Sequence, residues 1–398
     1  MAIGIHGAGC CLMDILHQGA DFSSDPFVSL TSRVSGDGGL NMGGLVFAQD
    51  LASFSGRPME AILSSLAGGR GPDAENVGGP AIVSLIHTAQ LVPDSRVEFF
   101  GTTGTDPTGK ALRDVLSRTP VGTGHLRKID GATSATHVFN DPKYDNGAGE
   151  RLFINQLGVA DLPAAGQLPE EFVEADTVQL GGTALVPPLH RRLPGVLRRA
   201  REAGAFTVVN TVYDFRGERE RPEERWTLGS DEAYEHIDVL ICDLEEARRL
   251  TGRSDAASAV SWFLKRGCRG AIVTCGADPV WYGTEKAGEP LIVSQQVYRE
   301  FASDQGPTAG DTTGCGDNFC GGVVAAVAGR LQSGADHIDL AEAVTTGIAS
   351  GAFCLSYLGG TMVERHPGEK LSRVSATAGA YLERYGRKKS VDMPLVRE

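Results

Sequence analysis

Gly310-Asp311-Thr312-Thr313-Gly314-Cys315-Gly316-Asp317-Asn318-Phe319-Cys320-Gly321-Gly322 is the most informative run of the chain. It reads as a polar, glycine-rich turn feeding directly into a helix. Phe319, Val323, Ala326 and Val327 recur at helical spacing, and Gly329 stands at the natural stop. Thr312 and Thr313 precede the helix as N-terminal capping residues do. The turn predicts an anion site. Gly314, Cys315 and Gly316 occupy the helix start, where backbone amides lack intrahelical partners. Glycine lets that backbone approach a ligand closely. Free amides and the helix dipole together make a phosphate cradle. Asp317 has two readings. A carboxylate in the first turn is favoured by the dipole alone. Beside a phosphate cradle it is also placed to take a proton from an incoming hydroxyl.

Upstream of this run, short apolar stretches alternate with helical patterns. Ala2–Ile5, Val97–Phe100, Thr177–Leu180, Thr207–Asn210, Val239–Ile241 and Ala271–Thr274 read as buried strands. The last three begin about thirty residues apart, the size of a strand–helix–strand unit. Continuous rather than alternating apolarity predicts a mostly parallel sheet covered on both faces. Leu189–Ala203, Leu244–Leu250 and Ala256–Lys265 read as intervening helices. The sum is one doubly wound α/β domain spanning 1–398, with ligands expected beyond the carboxyl ends of the strands. Two segments break the alternation. Residues 21–71 are rich in Gly, Ser and Asp. Residues 132–155 read as a hairpin, with strands Thr136–Asn140 and Arg151–Asn155 around turn residues Asp145, Asn146 and Gly147. Both are expected to form a small β-rich lid over the ligand site. The charged tail from about Arg384 reads as loose.

Composition narrows the function. The formal net charge is −13, and the basic runs Arg191-Arg192, Arg198 to Arg201 and Arg387-Lys388-Lys389 are short. That balance argues against a nucleic-acid partner. None of the eight cysteines forms a Cys-x-x-Cys pair or stands at metal-ligand spacing with a histidine. Such usage fits a reducing cytoplasm, with Cys242 and Cys275 as small buried hydrophobes. No signal-peptide pattern opens the chain, and no apolar run is long enough to span a bilayer, so no membrane partner is expected. Gly104-Thr105-Asp106-Pro107-Thr108-Gly109-Lys110 has the spacing of a P-loop but is followed by Ala111 instead of a Mg²⁺-binding hydroxyl. Its internal proline also removes a backbone donor.

The 310–322 run resembles the signature of the ribokinase-like, or phosphofructokinase B, carbohydrate kinase family: Asp-Thr-Thr-Gly-Ala-Gly-Asp before a helix of small residues. Cys315 stands where the family has alanine. The resemblance implies that Gly314, Cys315 and Gly316 form an anion hole for the transferred phosphoryl group, with Asp317 as catalytic base. Gly7–Asp14 is similar to the family's first strand and substrate-binding aspartate, here Asp14. Asn76-Val77-Gly78-Gly79 resembles its Gly-Gly substrate motif, but the asparagine expected four residues on is Val83. Phe99-Phe100-Gly101 through Asp106 and Gly109 looks like a largely structural second-strand motif. Ile241–Glu246 resembles an Asn-x-x-Glu motif, with Asp243 replacing the asparagine and Glu246 expected to act on the metal through water. Thr274-Cys275-Gly276 resembles a strand end that meets the nucleotide. Asp243, Thr274, Gly276 and Thr312 are the expected nucleotide-binding positions.

The resemblance thus implies ATP and Mg²⁺ as cofactors and transfer of the γ-phosphoryl group to a hydroxyl of a sugar or related polyol. In the expected lid, Arg151 suits a phosphate or substrate carboxylate, and Asn155 suits substrate hydroxyls. The departures at Val83 and Asp243 leave two alternatives open: a nucleoside kinase of the same fold, or a catalytically idle nucleotide- or sugar-binding regulator. Lid strands that pair between subunits would make a homodimer.

Overall fold

The computed structural model describes residues 2–34, 36–147, 149–284, 291–293, 312–335 and 338–385. Gly310 and Asp311 of the signature run, and the tail beyond 385, lie outside the described residues. The strands, in chain order, are β1 (Gly4–Gly9), β2 (Leu12–Gln18), β3 (Leu45–Phe47), β4 (Ala74–Gly78), β5 (Arg96–Gly104), β6 (Gly122–Ile129) and β7 (Ala135–Asp141). They continue with β8 (Glu150–Gln156), β9 (Thr177–Gly181), β10 (Phe206–Asn210), β11 (Val239–Asp243), β12 (Gly270–Cys275), β13 (Asp278–Thr284) and β14 (Leu291–Val293). They form two sheets. The larger has the order β14-β13-β12-β11-β10-β9-β1-β5-β6. From β12 to β6 every pair is parallel, and β13 and β14 add antiparallel at one edge.

The apolar strands are buried as expected. Thr177–Gly181 is buried at every residue, and Val239–Asp243 at all but the last. Helices cover both faces, each over its own core. One core holds Leu180, Leu240 and Phe263, and the other holds Ile5, Phe99, Val324 and Ile348. From β1 the chain crosses to β5 and β6 on one side, then returns through β9 and builds outward on the other. The loops leaving β1 and β9 therefore diverge at the carboxyl edge, which opens a crevice there. Helix Cys315–Gln332 lies against helix Pro80–Leu91 on one face and delivers its N-terminus to that crevice. No helix among the described residues is long and apolar enough to cross a membrane.

The smaller sheet has the order β3-β8-β7-β2-β4, with β7 and β8 forming the expected antiparallel hairpin. At its turn Asp145 and Asn146 take φ of 47° and 57°, a conformation that their short polar side chains tolerate. The 21–71 segment differs from expectation. It supplies helices Asp25–Leu30, Ala48–Ser55 and Met59–Leu66 and only the three-residue β3. Phe22, Phe27, Leu30, Leu51 and Ile62 pack on Phe139, Leu152 and Ile154, one face of the smaller sheet. Residues alternate between faces along a strand, so Arg151, Asn155 and Thr136 point the other way.

Two further boundaries shift. The first strand was expected over Ala2–Ile5 but runs through Gly4–Gly9, because β5 and β9 flank it and complete its ladder. Tertiary pairing overrides the poor strand propensity of glycine. The helix expected over Leu189–Ala203 is two, Pro187–His190 and Leu193–Glu202. Pro194 has no amide to donate, so it starts the second helix instead of continuing the first.

Candidate active site

Gly314 is the N-cap of helix Cys315–Gln332, with φ of 77°. A Cβ at Gly314 would overlap the Gly360 backbone, so only glycine lets this turn lie flush on the 358–361 loop. No side chain caps the helix. Thr312 and Thr313, expected to cap it, instead accept hydrogen bonds from Arg151, at 2.6 and 2.7 Å. The left-handed Gly314 carries the chain into the helix, leaving the two hydroxyls to face the smaller sheet. The Cys315 amide makes a long turn bond to the Thr312 carbonyl, 3.2 Å. Gly316 borders open space. Asp317 is only partly exposed, and burial pushes its carboxyl up to about 7. The helix passes through Gly329 and ends at Gln332, where Gly334 with φ of 69° makes the stop.

The substrate candidates lie across the crevice, on the smaller sheet. One row of its register aligns Asn76, Asp14, Thr136 and Asn155 on adjacent strands. Asp14 is buried, and a Cβ at Gly78 would overlap its carboxylate. Gly79 begins the turn into helix Pro80–Leu91, with φ of 103°. Asp14 and Asp317 both act electrostatically on the Cys10 thiol. Burial first, then Cys11 and these two carboxylates, raise its thiol pKa. Asn155 donates from Nδ2 to Thr136 Oγ1 at 2.8 Å, and its Oδ1 is buried with no partner among the described residues. An unpaired buried acceptor is costly, so it marks a place for a donor. Asn76 faces elsewhere, donating to the Leu358 and Thr361 carbonyls at 3.1 and 3.0 Å. Sequence reasoning missed Asn76 and Thr136 as members of this row, since register is not visible in one strand. Val83 is fully buried, and its methyl groups lie where a side chain at Gly360 would go. The position is a packing support for the 314–360 contact.

Asp243 and Glu246 lie at the carboxyl end of β11. Asp243 caps helix Leu244–Thr251, accepting from the Glu246 amide at 2.8 Å, while Glu246 accepts from the Asp243 amide at 3.1 Å. This reciprocal capping box satisfies two helix-start donors. Glu246 is also an acceptor for the Thr211 hydroxyl, at 2.5 Å. Burial raises both carboxyl pKa values, and each is further affected by nearby acids: Asp243 and Asp317 raise Glu246. A cation would relieve that repulsion. Among the described residues no group of three or more His, Cys, Asp or Glu is arranged as a metal cage. The donor set fits Mg²⁺, which keeps much of its water and binds through a few carboxylates and phosphates. Thr274 pairs with Asp243 in register, and Gly276 sits in the following turn with φ of 59°, facing open space. Thr274 thus lies beside Asp243 at the carboxyl ends of adjacent strands. The P-loop-like stretch is a capped helix: Asp106 accepts from the Gly109 amide at 3.0 Å, and Lys110 pairs with Asp114 in solvent.

Residues 73–365 match the family described as pfkB family carbohydrate kinase. A fructokinase of Vibrio alginolyticus is 26% identical over 288 residues, covering 71% of this chain and 86% of that protein. Among solved structures, the fold resembles an adenosine kinase from Sinorhizobium meliloti, with a TM-score of 0.68, 19% identity and coverage of 96% of this chain and 100% of that one. It also resembles a ribokinase from Thermotoga maritima, with a TM-score of 0.59, 16% identity and coverage of 95% and 99%.

Proposed function

This chain belongs to the pfkB family of carbohydrate kinases, and we propose that it transfers the γ-phosphoryl group of ATP to a hydroxyl of a sugar or related polyol held beside Asp317. The observation that carries the reading is the junction of a partly buried carboxyl of pKa about 7 with a glycine turn at a helix N-terminus. A base whose pKa lies near the working pH is well matched to proton transfer. A catalytically idle binder would have no use for it.

In this reading the substrate oxygen attacks the γ-phosphorus while the bond to the leaving ADP breaks. The Asp317 carboxylate takes the hydroxyl proton and later releases it to solvent. The amides of Gly314, Cys315 and Gly316 stabilise charge on the phosphoryl oxygens, with Cys315 giving up its long turn bond. Such transfer depends mainly on positioning and charge stabilisation. Mg²⁺, when bound with the nucleotide, supplies charge neutralisation at the phosphates. Glu246, supported by Asp243, would hold it through water. Thr274, Gly276 and Thr312 would border the nucleotide. Asp14 and Asn155 Oδ1 are acceptors in one row, which suits a substrate presenting several hydroxyl hydrogens. Arg151 would exchange its threonine partners for the phosphoryl group, since its planar fork fits both. The β7–β8 hairpin would act as the lid, with the 21–71 helices as its backing.

The test is phosphorylation by Mg-ATP across sugars, sugar acids, inositols and nucleosides, read by mass spectrometry. A phosphorylated polyol is expected. Asp317→Asn should lower turnover on the order of 10²-fold or more, with ATP affinity little changed. Near-normal turnover in that variant would reject Asp317 as the base. A nucleoside product would move the substrate class while leaving the mechanism intact.

A further inference from the structure

Directly after Asp317 stands Asn318, completely buried, with its whole hydrogen-bonding capacity in use. Its Nδ2 donates to the Gly314 carbonyl at 2.9 Å and the Gly360 carbonyl at 2.8 Å, with Cys354 Sγ at 3.4 Å. Its Oδ1 accepts from the Tyr357 hydroxyl at 2.9 Å and from Lys370 Nζ at 3.0 Å. One amide therefore ties the two backbones that meet at the phosphate turn. Lys370 belongs to helix Glu369–Tyr385, is 1% exposed, and lies over the Tyr357 ring at 5.3 Å.

We propose that Lys370 is a positioning residue for phosphoryl transfer: through the Asn318 amide it holds the Gly314 and Gly360 carbonyls, and so sets where the 314–316 amides point. This rests on the reading of those amides as the phosphate cradle. A lysine is almost never fully buried without a paired charge. Here its ammonium is given to an amide oxygen, and the groups around it are His87, Asn318, Cys354, Tyr357 and Glu364. Burial holds its pKa down to about 7, so keeping the charge there opposes stability. A role in packing alone would be served better by an apolar side chain of similar volume. Below about pH 7 the ammonium form on Oδ1 strengthens that bond and polarises the amide, which strengthens the donation from Nδ2, and the neutral amine still keeps an N–H to donate. His87 also borders this amide: burial, then the lysine charge, depress its pKa, while its interaction with the Asn318 side chain raises it, and neither ring nitrogen reaches hydrogen-bond geometry among the described residues.

The experiment is a double-mutant cycle on the full chain, read by hydrogen exchange of the 312–320 amides and by steady-state kinetics with Mg-ATP. Lys370→Met and Asn318→Ala should each speed exchange in that segment about tenfold or more, leaving the 206–210 and 239–243 strands unchanged. Lys370→Met should lower kcat about tenfold while KM for ATP stays within about twofold, and the double variant should be no worse than Asn318→Ala. Should Lys370→Met not fold, Tyr357→Phe removes the other donor onto the same oxygen and reads the same coupling. Unchanged exchange at 312–320, or losses that multiply in the double variant, would overturn the proposal. Asp317→Asn separates the two ideas: near-normal turnover there removes the catalytic reading, whereas the exchange result concerns only the clamp.

Discussion

Asp317 is a residue whose environment predicts its behaviour. Its carboxyl is pushed up to about 7 by burial, so the base form accumulates only as pH rises. The pH profile of kcat/KM should climb through about pH 7, and a flat profile from pH 5 to 8 would argue that no such group limits the reaction. The same shift acts on stability. The folded protein holds this proton more tightly than the unfolded chain, so the contribution is full below about pH 4 and is lost as pH rises through about 7. Asn carries no such proton. Asp317→Asn should therefore melt a few degrees above the parent at pH 8, with the gap shrinking toward pH 4. A gap that does not change with pH would show the carboxyl is not shielded from water. The place of Asp317 in the first turn of a glycine-led helix was legible in the sequence because turn and helix are contiguous. The partnering of Thr312 and Thr313 with Arg151, 162 residues away for Thr313, was not.

Among elements, the 21–71 segment is where composition misled. Its Gly, Ser and Asp content suggested strands and turns, yet Met59, Ile62 and Leu66 keep a helical spacing. Those apolar residues form a core of their own on the smaller sheet. Ile62 is completely buried there. Ile62→Ala should cost about 2–5 kcal/mol within that unit. Hydrogen exchange should rise over 135–141 and 150–156 and stay unchanged over 206–210. Equal loosening of both sheets would show that the cluster is not a separate cooperative unit. A homodimer through this face of the smaller sheet would first have to displace the chain's own helices.

At the scale of the whole molecule, Arg151 reaches from the smaller sheet to the turn that opens helix Cys315–Gln332. Its two bonds need a planar fork with donors at fixed spacing. Arg151→Ala should lower turnover about tenfold or more, and Arg151→Lys should recover little of it, since a point charge cannot serve both hydroxyls or a phosphoryl group in the same way. Full recovery by lysine in steady-state kinetics would show that charge alone is required.

The sequence by itself determined the doubly wound class, six of the seven parallel strands among the described residues, the hairpin at 132–155 and the turn-and-helix run that carries Asp317. Each of these is written in contiguous residues, as periodicity or as a turn joined to a helix. Only the tertiary structure decided that Asn76, Asp14, Thr136 and Asn155 share one row, that Val83 supports Gly360, and that Lys370 reaches Asn318. Strand register, helix docking and the partner of a buried polar atom depend on which distant segments meet, and those meetings are set by burial of the whole apolar surface at once.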